Sequence, residues 1–142
     1  MAAIIPLFQL MRIDISNLSK QELLIVEAEL FIRICEELKE VFREQHKDYF
    51  RLMNTPKEKE SSMLETKFVS SIIQDILSTQ EYTLQGIAEY TDFHEDVVVD
   101  VISGKNVCPS SVFLKRVIEL HRSVRSELYK EIMKKIAVQY LQ

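Results

Sequence analysis

The densest group of side chains able to bind a metal or move a proton is the run His94-Glu95-Asp96. On a helix, neighbouring side chains point about 100° apart, so these three cannot converge on one ion. They read instead as a solvated helix start, where carboxylates sit well against the positive end of the helix dipole. His46 and His121 lie far away in the sequence, and no serine, cysteine or carboxylate has a partner at catalytic or metal-binding spacing. No catalytic residue, metal, cofactor or enzymatic activity is expected. Cys35 and Cys108 share no CxxC spacing and read as two reduced thiols.

The chemistry that remains is electrostatic. Residues 66–104 carry one basic and seven acidic side chains, whereas residues 105–142 carry eight basic and three acidic ones, in a chain of net charge -4. Residues 1–65 carry nine basic and twelve acidic side chains, so net positive charge is found only in the last segment, in Lys105, Lys115, Arg116, Arg122, Arg125, Lys130, Lys134 and Lys135.

The elements that position these charges are helical. Among 142 residues, 46% hydrophobic and 28% charged, only 2 glycines and 3 prolines are available for sheet turns and loops, which predicts an all-α protein. The length suits one domain with a real core, or two small ones. No apolar run reaches membrane-spanning length, and the opening MAAIIPLFQLM has no basic leader, so a soluble cytoplasmic protein with no membrane partner is expected.

From the amino terminus, Met1 to Leu18 reads as extended, with Leu7, Met11, Ile13 and Ile15 on alternate positions and Pro6 opposing a helix, giving a possible short strand. Ser19-Lys20-Gln21-Glu22 is a capping box. A long helix from Lys20 to about Met53 follows, with two apolar stripes. One runs through Leu23, Val26, Leu30, Ile34, Leu38, Val41, Tyr49 and Leu52, the other through Leu24, Ala28, Phe31, Cys35, Phe42, Phe50 and Met53. One stripe would pack within the subunit and the other would form a homodimer interface. The alternative is a helix broken into a hairpin within Glu44 to Lys47. NTPKEKESS reads as a linker, so the expected organisation is an amino-terminal dimerisation unit over 1–54, a linker over 55–62, and a second domain over 63–142. That domain would open with a helix from Met63 or Glu65 to Thr79 and close with one long helix from Pro109 nearly to the end.

Between them, Thr83 to Ser111 holds two short helical patterns around a tight break. With Leu84 as the first position, Ile87 and Ala88 are fourth and fifth, Phe93 tenth, Val98 fifteenth and Val101 eighteenth. A small fifth residue lets two helices cross closely. Gly104 can take the left-handed conformation that ends a helix, and Pro109 suits the start of the next.

Together with Lys105, Ser110, Leu114 and Ile118, this pattern resembles the Cro and phage-repressor class of helix-turn-helix regulators, the xenobiotic-response-element type, over about Thr66 to Leu120. The chain departs from that class in having Leu84 where glutamine is usual, with Gln85 one place later, and Asp92 where glycine is usual. The resemblance implies a bacterial-type transcription regulator that binds double-stranded DNA as a dimer, with the second motif helix in the major groove. Gln85, His94, Glu95 and Ser103 would face bases, and Lys105, Asn106, Lys115 and Arg116 would hold phosphates. Of the six positions of the second motif helix that would face the groove, His94, Glu95, Asp96, Val99, Asp100 and Ser103, three are acidic, whereas affinity for DNA comes mainly from Lys and Arg. A second reading follows from that acidity: a helical interaction module that keeps the fold, binds no DNA, and takes a basic protein partner.

Overall fold

The computed structural model describes residues 15–141, and every regular element among them is helical. After a 3-10 turn at Ile15–Asn17, eight α-helices follow: α1 (Lys20–Gln45), α2 (Lys47–Leu52), α3 (Lys57–Thr66), α4 (Phe68–Ser78), α5 (Leu84–Thr91), α6 (Glu95–Ser103), α7 (Ser111–Val124) and α8 (Ser126–Leu141). The strand expected before Leu18 falls almost wholly outside the described residues. None of the described helices is long and apolar enough to cross a membrane.

The helix starts are set by short polar side chains. Ser19 Oγ accepts from the Glu22 amide at 3.1 Å, as half of a capping box requires. Several helix ends are set by residues that take a left-handed backbone. Asn54 (φ 50) ends the α2 segment with paired bonds from the Thr55 amide to Phe50 O (3.0 Å) and from the Asn54 amide to Arg51 O (3.1 Å). This arrangement satisfies carbonyls that a helix end leaves open, and Asn is the commonest substitute for Gly there.

The long helix expected over Lys20 to Met53 is interrupted at His46 (φ -104, ψ 10), inside the stretch where the hairpin alternative placed its break. The interruption re-aims the next turn, so that Phe50 is buried while Tyr49 and Leu52 remain exposed. The expected linker is also different: after Asn54 and Pro56, residues 57–66 form α3. Polarity alone suggested a linker, yet KEKESS contains no helix breaker, Glu58 and Glu60 favour a helix start, and Glu60 pairs with Arg43 at 2.8 Å. A further interruption at Lys67 separates α3 from α4, so the helix expected from Met63 to Thr79 is in fact the end of one and the whole of the next. The last expected helix is two. Arg125 leaves helical geometry (φ -123, ψ 48), and its guanidinium reaches Asp75 in α4.

The chain divides into two compact units, residues 1–40 with 126–142, and residues 41–125, in place of the expected boundaries at 54 and 62. In the second unit, α4 packs against α6 and α7, and α5 packs against α6 and α7. Its core holds Phe68, Ile72, Ile73, Ile76, Ile87, Val98, Val101, Phe113, Val117 and Ile118. Phe42 meets Phe68 edge to face at 6.2 Å. In the first unit, Leu30, Ile34 and Leu38 of α1 and Tyr129 and Ile136 of α8 are buried. Lys135 Nζ lies 2.8 Å from Glu37 Oε2, linking the two helices.

Candidate nucleic-acid interface

Two short helices with fixed ends build this surface. Thr83 Oγ1 accepts from the Gly86 amide at 3.0 Å and starts α5. Asp92 (φ 57, ψ 41) ends it in the left-handed region, with the Phe93 amide donating to Ala88 O at 3.1 Å. Asp is among the few residues besides Gly and Asn that tolerate this backbone. His94 then caps α6: its Nδ1 accepts from the Asp96 amide at 3.1 Å, which places a neutral ring's proton on Nε2. Gly104 (φ 85) ends α6, and no atom lies within 4 Å of where a Cβ would sit, so backbone conformation alone selects glycine there.

The buried side of the pair is Ile87, Ala88, Thr91, Val98 and Val101. Thr91 is fully buried, and its hydroxyl donates to Ile87 O at 2.8 Å. The open side presents His94, Glu95, Asp96, Val99 and Ser103 from α6.

Of the residues expected to face bases, Gln85, His94, Glu95 and Ser103 are all exposed. Gln85 lies on α5 with its amide 3.4 Å from Glu89 Oε1, and the Ser103 hydroxyl donates to its own helix at Asp100 O, 3.3 Å. Of the residues expected to hold phosphates, Lys105 and Lys115 are exposed. Asn106 is turned to its own loop, where Oδ1 accepts from the Cys108 amide at 3.1 Å. Arg116 is engaged within the fold. Its Nη1 donates to Thr91 O at 2.7 Å, and the guanidinium lies 5.7 Å from the centre of the Phe93 ring. A cation at the carboxy-terminal end of α5 is favoured by the helix dipole, and the ring face adds a cation–π contact. Phe93 in turn meets Phe113 edge to face at 5.1 Å. Arg116 thus ties α7 to the turn between α5 and α6.

Tyr82 and Tyr90 meet edge to face at 6.5 Å. Burial, with the nearby Glu119 charge, raises the Tyr90 hydroxyl pKa, so it stays a neutral donor.

The polar cluster that sequence reasoning missed is Asp75–His121–Arg125. His121 is fully buried, with Nε2 2.7 Å from Asp75 Oδ2. Arg125 donates to both oxygens of the same carboxylate, from Nε at 3.0 Å and from Nη2 at 3.1 Å. Burial acts to raise the Asp75 pKa, but hydrogen bonds from Arg125 and His121 outweigh it and hold the carboxyl below its usual range. For His121 burial is the stronger influence and lowers the pKa despite Asp75, so the ring is held neutral. The available signals were a carboxylate at Asp75 between Ile73 and Ile76, and a His and an Arg four residues apart at the end of a helix. The cluster joins α4 to the end of α7. Among the described residues, no three His, Cys, Asp or Glu side chains are grouped to hold a metal ion.

No protein-family model, characterised protein or solved structure matches this chain.

Proposed function

We propose that residues 41–125 are a helix-turn-helix module that binds double-stranded DNA and regulates transcription in the cytoplasm, with α6 as the helix entering the major groove. The observation that carries this reading is the presentation of α6. It is held from behind by Val98 and Val101, fixed at its ends by His94 and the left-handed Gly104, and open along Glu95, Asp96, Val99 and Ser103. Lys105 and Lys115 are exposed and would take phosphates, while Gln85, His94, Glu95 and Ser103 would meet base edges. The module needs no cofactor for this.

A second reading, an interaction module for a basic protein without DNA binding, is favoured by one specific feature. Glu89, Asp92, Glu95 and Asp96 are exposed on the same two helices, while Arg116, one of the cations nearest to them in sequence, is committed to Thr91 and Phe93. Carboxylates beside a phosphate backbone weaken binding.

Fluorescence anisotropy with mixed duplex fragments at low and moderate salt separates the two. Lys105→Glu with Lys115→Glu leaves Arg116 in place and removes two phosphate contacts. On the DNA reading, the wild type binds in a salt-sensitive way, and the variant loses affinity together with about two units of the log-affinity against log-salt slope. No binding at low salt, or an unchanged slope in the variant, overturns DNA recognition by this surface.

A further inference from the structure

The amino-terminal half of α1 carries an apolar face that the described chain leaves open. Leu24, Ile25 and Ile32 are 65%, 54% and 55% exposed, and Ala28 between them is exposed. Of the second apolar stripe, Leu24, Ala28 and Met53 are exposed and Phe31 is half-buried, whereas Cys35, Phe42 and Phe50 are buried. The open face is therefore about 12 Å long, from Leu24 to Ile32 at the helical rise.

What flanks this face decides its occupant. Seven residues drift by only about 20° around a helix, so side chains at that spacing form one row. Glu22, Glu29 and Glu36 are such a row, all exposed, along one edge of the apolar strip. In heptad terms Ile25 and Ile32 occupy one seam position, Ala28 the other, and the three glutamates the position directly beside the seam.

This row acts against a second copy of the same helix. In an antiparallel two-fold pair the same edges adjoin, so Glu22 of one copy meets Glu36 of the other, and the two Glu29 side chains meet each other. In a parallel pair the row meets the opposite edge, which carries Leu24 and Phe31 and offers the carboxylates no cation. The cations of α1 nearest this row, Arg33 and Lys39, are half-buried and already have interactions of their own, so a second copy brings the carboxylates no uncommitted opposite charge in either orientation.

We infer that this face of α1 binds an amphipathic helix of another protein, apolar along its seam and carrying Lys or Arg beside it, and that it is not a homodimer interface. Ala28 lets that helix approach closely, Leu24, Ile25 and Ile32 supply the apolar contact, and the glutamate row selects the cationic edge. The face lies on the unit formed by residues 1–40 and 126–142 and does not depend on the DNA-binding proposal, which concerns residues 41–125.

The probe is a fluorescein-labelled helical peptide of three heptads, with leucine at its seam positions and lysine beside them. An otherwise identical peptide with glutamate beside the seam is the control. Anisotropy with the full chain should show saturable binding of the lysine peptide and none of the glutamate peptide. Glu29→Lys with Glu36→Lys should weaken the lysine peptide by roughly tenfold and make the glutamate peptide the tighter ligand. Ile25→Ser with Ile32→Ser should abolish binding of both. Equal binding of the two peptides, no binding of either, or lysine-peptide binding that survives the serine substitutions overturns the inference. So does a sedimentation experiment in which the chain is a dimer that Ile32→Ser dissociates, because the occupant is then a second copy.

Discussion

Asp75→Ala tests how far the second unit depends on its one fully buried imidazole. The substitution removes the acceptor for His121 Nε2 at 2.7 Å and for two Arg125 nitrogens at 3.0 and 3.1 Å. His121 is fully buried, so losing its acceptor leaves a dry donor, at a cost of about 1–3 kcal/mol. The Arg125 side chain is 41% exposed, and water compensates much of its loss; that pair contributes about 1 kcal/mol or less. The expected loss is about 2–4 kcal/mol, read from urea unfolding followed by circular dichroism at neutral pH. His121→Leu with Asp75→Ala should be less damaging than the two single losses added together, because the apolar ring replacement leaves no orphaned donor. A loss below about 0.5 kcal/mol for Asp75→Ala would refute the reasoning, since that is the range of an ordinary surface substitution.

Three further outcomes follow from the same geometry. His121 has its pKa lowered by burial, so below its unfolded pKa of about 6.5 the unfolded chain binds a proton that the folded chain refuses. Its contribution is complete above that pH and is lost as pH falls, by at most about 1.4 kcal/mol per pH unit; His121→Asn should flatten this limb of a stability–pH curve below pH ~6.5. Asp92→Gly should be neutral or stabilising by up to about 1 kcal/mol, while Asp92→Val should cost about 1–2 kcal/mol, because a β-branched residue opposes the backbone at φ 57; thermal unfolding of both variants measures the difference. Arg116→Met should cost about 1–3 kcal/mol through the orphaned Thr91 carbonyl and the lost Phe93 contact, and a Tm within about a degree of wild type would show that the contact to Thr91 is not needed.

The all-α class was legible from the scarcity of glycine and proline and from apolar residues at steps of three and four. The helix start at Ser19 and the left-handed end at Gly104 were also legible, because each is dictated by chemistry within a few residues, and Asp92 stands at the expected tight turn; the last long segment, expected to start at Pro109, is capped instead by Ser110. The interruptions at His46, Lys67 and Arg125 were not clearly marked, although EQHK pointed to the first as an alternative. None has a helix-breaking side chain, and ordinary residues differ in helix propensity by well under 1 kcal/mol, so packing decides. The linker over 55–62 shows the same limit, since a polar segment between two apolar ones can be a loop or a solvent-facing helix. At the candidate interface, exposure of Lys105 and Lys115 agrees with a cation's preference for water, but Arg116 could not be assigned from its neighbours. Its partner is a backbone carbonyl 25 positions away, and any residue type supplies one. Asp75 inside FVSSIIQDIL was the visible anomaly: a carboxylate within an apolar helix must be paired.

The division of the chain bears on how it is made. Residues 41–125 are contiguous, whereas the other unit needs both 1–40 and 126–142. During synthesis at about 5–20 residues per second, the contiguous unit is complete before α8 has emerged, and α1 waits roughly 4–17 seconds for the segment that completes its unit. Throughout that interval Leu30, Ile34 and Leu38 belong to an unfinished core. A stop before residue 126 would leave the sequence of the contiguous unit whole and the other without its carboxy-terminal segment, a nascent chain with apolar surface for chaperones to find.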